Sequence, residues 1–119
     1  MKEDLVYVEH VLDCIVRIES YTAGHKSAFI NSTLIQDAVV RNLQVLAEST
    51  QRLPAAIKQK HPEIDWRGLA GFRNVLAHGY LGIDLERVWD LIGTRLAALK
   101  AGMERIRAEV IAEGGAAGE

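Results

Sequence analysis

The stretch LERVWDLIGTRLAALKAGMERIRAEV, Leu85–Val110, carries Leu85, Val88, Ile92, Leu96, Leu99, Met103, Ile106 and Val110 as one apolar stripe. Steps of three and four residues put those side chains on one face of an α-helix. Asp84 stands where an N-cap is wanted. About 28 residues at ~1.5 Å each make a rod of ~42 Å. A compact domain of this length has a radius of gyration of only ~13.5 Å. Such a rod either overhangs as a frayed tail or packs on a second copy of the chain.

The rest of the chain repeats the helical pattern. Leu5, Val8, Leu12, Ile15 and Ile18 predict a first helix near residues 3 to 21, stopped at Gly24. Thr33 and Gln36 have the spacing of a capping box, which predicts a second helix from Thr33 to about Arg52, with Ile35, Val39, Leu43 and Leu46 inward. Pro54 suits the first turn of a short third helix, Ala55 to Lys60, and Pro62 ends it. Asp65 can cap a fourth helix that begins at Trp66 and buries Leu69, Phe72 and Leu76, with Gly79 and Gly82 marking its end and a turn. The expected fold is an all-α, antiparallel helical bundle of four to five helices. One domain is expected over residues 1–112, with 113–119 a flexible tail.

Composition narrows the function. The chain has 119 residues and a net charge of −2, with one cysteine, Cys14. A single cysteine fits a reducing compartment, and in its apolar setting reads as a small buried hydrophobe. Met1-Lys2-Glu3-Asp4 leads into no signal-like run, and no segment approaches the roughly 18 apolar residues of a membrane span. The expected location is cytoplasmic, with no membrane partner. A near-neutral charge argues against broad coating of nucleic acid, which needs many phosphate contacts. His10, His25 and His61 lack partners at ligand spacing, so no metal site and no cofactor are expected.

One segment departs from plain helix chemistry. From Trp66 to Ile83 there is no acidic residue, and within it stands Arg73-Asn74-Val75-Leu76-Ala77-His78-Gly79-Tyr80. Histidine can take or give a proton near neutral pH, and arginine can hold two phosphate oxygens and stabilise added negative charge. RNA supplies its own nucleophile, the 2′-hydroxyl, so a base and a cation can cleave it without metal. Asn74 can add an oriented amide, and Tyr80 a hydroxyl that binds phosphate or is itself modified. The bland alternative is that Arg73 and His78 are helix-end cations facing the negative end of the dipole. Five residues apart, they sit ~140° around a regular helix. A two-fold dimer with these segments side by side would ease their convergence. Arg41 and Asn42, with Glu48 nearly two turns on, read as a polar network inside the bundle or at a dimer seam, or as a support that orients Arg73 or His78. Trp66 and Trp89 read as packing groups.

Arg73, His78 and Tyr80 together resemble the R-X4-H-X-Y signature of HEPN-domain ribonucleases. The flanks Trp66 to Asn74 and Ala77 to Asp84, with Asp37 to Leu43, Glu48, Leu53-Pro54, His61-Pro62 and Val88-Trp89, are similar to the HepT-like branch. The resemblance implies a HEPN-like homodimeric bundle with the signature at the dimer cleft. It implies a metal-independent endoribonuclease toxin of a type VII toxin–antitoxin pair acting on RNA, with Arg73 and His78 catalytic. It also implies a minimal nucleotidyltransferase antitoxin that silences the nuclease by moving AMP onto Tyr80. An alternative is a non-catalytic helical partner that presents substrate to such a nucleotidyltransferase. The chain departs from the pattern at Ala47, where the family commonly has glycine, and at Asp65, where it has proline.

Overall fold

The computed structural model describes residues 2–77 and 84–117, and among these the regular structure is all helical. The helices are α1 (Lys2–Thr22), α2 (Lys26–Ile30), α3 (Thr33–Gln51), α4 (Ala55–Lys60), α5 (Trp66–Ala77) and α6 (Leu85–Ala117). No described helix is long and apolar enough to cross a membrane. α1 packs against α3 and α6, α3 also packs against α5, and α2 touches α1, α3 and α6.

The apolar stripes meet in one core. Val8, Val11, Ile15 and Ile18 of α1 bury against Val39, Leu43 and Leu46 of α3 and Val88, Leu96, Leu99, Met103 and Ile106 of α6. Full burial of each such side chain stabilises the fold by about 1.5–3 kcal/mol. α6 spans 33 residues, or about 50 Å of helix. That matches the 52 Å long axis of the molecule, against 24 and 21 Å across it. The radius of gyration, 15.1 Å, exceeds that of a compact sphere of this length for the same reason.

The structure corrects the sequence reading in two places. Among the described residues the bundle has six helices, because the stretch between Gly24 and Thr33 holds α2, which is too short to show periodicity. Its Phe29 is fully buried and stacks on Trp89, with ring centroids 5.7 Å apart. The cap of α3 is Ser32, not Thr33: Ser32 Oγ accepts from Ile35 N at 3.2 Å. Gln36 does not close a capping box. Its amide donates to the carbonyls of Phe29 and Ile30, at 3.0 and 2.9 Å, because the end of α2 leaves carbonyls without helical partners. The helix α6 itself is continuous through Gly114 to Ala117. Extending an existing helix gains a hydrogen bond per residue without a new nucleation step.

The other boundaries follow the sequence signals. α1 ends in left-handed backbone at Ala23 and Gly24, with φ of 49° and 75°, and Ala23 N donates back to Glu19 O at 2.8 Å. Asp84 Oδ1 accepts from Arg87 N at 3.2 Å and so caps α6.

Phe29→Ala removes the one fully buried anchor of α2 and part of the Trp89 contact. Urea unfolding should show a loss of about 3–5 kcal/mol.

Candidate functional site

α5 is the element that presents the Arg73 segment, and its position is set from its first turn. Asp65 Oδ1 accepts from Gly68 N at 2.8 Å, which satisfies a free helix-start amide. The other oxygen of Asp65 pairs with Arg95 on α6. The Gly68 N–H first, and then Arg95, hold the Asp65 carboxyl below its ordinary value. A Cβ at Gly68 would meet the Asp65 carboxylate and the Arg95 guanidinium, so that pair would have to shift to admit a larger residue. Trp66 Nε1 donates to His61 O at 3.0 Å, and Lys58 Nζ lies 5.9 Å from the Trp66 ring centroid. Along the helix Leu69, Phe72 and Leu76 are buried, as the spacing predicts.

Arg73 and Asn74 lie on this helix between the buried Phe72 and Leu76. The helix is described to Ala77. His78, Gly79, Tyr80 and Gly82, and the side chains of Arg73 and Asn74, lie outside the described residues. The next described residue, Asp84, caps α6.

Within one chain the three polar residues of α3 do not join in a single network. Asn42 is buried and spends its amide inside its own helix, with Nδ2 donating to Ala38 O at 2.8 Å. Glu48 is exposed and pairs with Arg52, one turn on, at 3.3 Å. Arg41 is exposed. A side chain one residue from a buried position points about 100° away, which separates Arg41 from Asn42. Asn42 remains on the helix that packs against α5.

Cys14 is buried, and burial pushes its thiol up, against the opposing effect of Arg17 and Arg41. It is an inert packing group, as read. Trp89 and Trp66 are both half-buried in intramolecular contacts. Among the described residues no group of three or more His, Cys, Asp or Glu side chains is arranged to hold a metal.

Sequence spacing missed His61. It is buried, with both ring nitrogens on carboxylates: Nδ1 lies 3.1 Å from Glu63 and Nε2 2.8 Å from Glu109. Glu63 is near in sequence, but Glu109 is 48 residues away, so no local pattern could have revealed the pair.

The arrangement on α5 coincides with a family match. Residues 11–106 fit the model described as Ribonuclease HepT-like, a range that runs from the second half of α1 into α6. The chain belongs to the HepT-like ribonuclease family. It is 32% identical over 102 residues to "Probable ribonuclease HepT" of Thermococcus cleftensis, covering 85% of this chain and 93% of that protein. It is 37% identical over 107 residues to "Putative RNase MJ1216" of Methanocaldococcus jannaschii, covering 88% of each. A third relative from M. jannaschii, "Gamma-glutamylcyclotransferase and putative RNase MJ0434", is 31% identical over 112 residues, or 92% of this chain but half of that protein. The comparison with solved structures found no match.

Asp65→Ala should fray the start of α5 and cost about 1 kcal/mol of stability by urea unfolding, as for other lost N-caps. Because the folded Asp65 carboxyl titrates low, its contribution is present above its ordinary range near 3.8 and fades as pH falls through the lowered value. The wild-type advantage over the variant should therefore shrink in acid.

Proposed function

We propose that this chain is a metal-independent endoribonuclease toxin, with Arg73 and His78 as its catalytic pair and Tyr80 as a site of silencing by AMP. The single observation that carries the reading is the sequence order Arg73, His78, Tyr80, with Arg73 on α5, in a chain of the HepT-like family.

The chemistry follows from the residue types. His78 takes the proton from a ribose 2′-hydroxyl as its oxygen attacks the adjacent phosphorus. Arg73 stabilises the charge that grows on the phosphoryl oxygens. The bond to the 5′-oxygen breaks, and that oxygen takes up a proton. The products are a 2′,3′-cyclic phosphate and a 5′-hydroxyl. Asn74 can orient the phosphate, and Asn42 stands on the helix that packs against α5. A second copy of the chain completes the cleft by bringing two such segments together.

Silencing uses the same residues. A minimal nucleotidyltransferase directs the Tyr80 hydroxyl onto the α-phosphorus of ATP, and pyrophosphate leaves. The tyrosyl AMP brings a negative phosphodiester beside Arg73, where it competes with the RNA phosphate. The acid-free stretch Trp66 to Ile83 favours both anions.

His78→Ala and Arg73→Ala should each slow RNA cleavage about 10²–10⁴-fold. Cleavage by the wild type should survive EDTA. Light scattering should give a dimer at micromolar concentration; a monomer would exclude the shared cleft. Intact mass should rise by one or more AMP units on incubation with the nucleotidyltransferase and ATP, with cleavage lost in step. An unmodified dimer that cleaves no RNA yet binds the nucleotidyltransferase would instead identify the non-catalytic partner.

A further inference from the structure

His61 is only 5% exposed, yet both faces of its ring chemistry are committed. Nδ1 meets Glu63 Oε1 at 3.1 Å and Nε2 meets Glu109 Oε2 at 2.8 Å. A carboxylate only accepts, and a neutral imidazole has one N–H and one lone pair. In the neutral ring one of these two contacts would set lone pair against lone pair. The imidazolium alone can donate to both.

The pair of contacts joins distant parts of the fold. Glu63 is in the turn between α4 and α5, and Glu109 is on α6. The His61 carbonyl accepts from Ile64 N at 3.2 Å and from Trp66 Nε1 at 3.0 Å, so the ring is tied to the first residues of α5. Beside it Ile64 packs on Gly102 of α6, where a Cβ would come within 2.5 Å of Ile64 Cδ1. We propose that His61 is a proton-dependent clasp: when charged it fastens the turn that starts α5 to α6, and when it loses its proton the turn loosens.

The charged surroundings fix the direction. Arg105 on α6 donates to Glu63 at 3.2 Å, and Glu113 on α6 pairs with Lys60 of α4 at 3.5 Å. Lys58 lies over Trp66, and Asp65 pairs with Arg95. When His61 is neutral, Glu63 keeps Arg105, but Glu109 has no other cation among the described residues. Burial opposes charging the ring. The hydrogen bonds to Glu109 and Glu63 outweigh it and hold the imidazole above its ordinary value. The clasp is therefore fully closed below the unfolded-state value near 6.5 and opens as pH rises through the raised folded value. Toward acid, its own backbone N–H and then His61 hold the Glu63 carboxyl below its ordinary value, so the Glu63 contact persists until pH falls through that lowered value.

The clasp itself does not depend on the nuclease reading, and its test uses no RNA. In the intact wild-type chain, the His61 imidazole should titrate by NMR with a midpoint above the ~6.5 of an unperturbed ring. Between about pH 6 and pH 9, amides of Ile64, Trp66 and Leu69 should gain several-fold in hydrogen exchange beyond the base-catalysed rise of α1 amides. The wild-type Tm should fall across that window by about 4 °C relative to His61→Gln, whose profile should be flat. If His61→Gln does not fold, Glu109→Gln serves: it should lower the His61 midpoint. A midpoint at or below that of the free ring, or parallel Tm profiles, would overturn the clasp.

Discussion

A helix of 12 residues cannot hold itself together in water, and α5 is that helix. Everything it presents depends on being held from outside. Burial of Leu69, Phe72 and Leu76 fixes which face looks inward. α3 lies alongside it, and the Asp65 cap supplies its missing start. The remaining architecture is easiest to understand as the frame for this short element. α1, α3 and α6 build a core large enough to be stable, and α5 docks on it.

Charge plays a different part. α6 is flanked by ion pairs on two sides: Lys100 with Glu19 at 3.0 Å and Arg107 with Glu9 at 3.7 Å toward α1, and Arg95 and Arg105 toward the turn before α5. Exposed pairs of this kind contribute little stability each. Their value is register. An apolar face tolerates sliding by a turn, whereas opposite charges at fixed positions along a long rod do not. The buried His61 stands apart from these, because its carboxylate partners are reached from a ring withdrawn from water.

Long periodic segments were legible in the sequence, and so were local caps. The stripes from Leu5 to Ile18 and from Leu85 to Val110 are α1 and α6, and Asp65 and Asp84 cap the helices that follow them. A five-residue helix has no period to detect, so α2 was invisible until Phe29 was seen buried. Gln36 had the right spacing for a capping box, but two nearby carbonyls at the end of α2 compete for the same amide. The family and the segment that carries its signature were readable because the motif is local. The scatter of Arg41, Asn42 and Glu48 was not, since it depends on which side of α3 meets the core. His61 was hidden for a third reason: its decisive partner lies on another helix, and no short-range pattern encodes that meeting.

The burial of Cys14 has a practical side. Its sulfur is the chain's sole thiol, and it is enclosed by the α1 core with its ionisation suppressed. Thiolate is the reactive species toward maleimides and oxidants, so the native protein offers such reagents almost no target. A cysteine placed at an exposed position such as Ser20 or Thr94 would then be the one fast-reacting handle. Fluorophores or spin labels could be attached there without first removing the natural residue, leaving the core packing undisturbed.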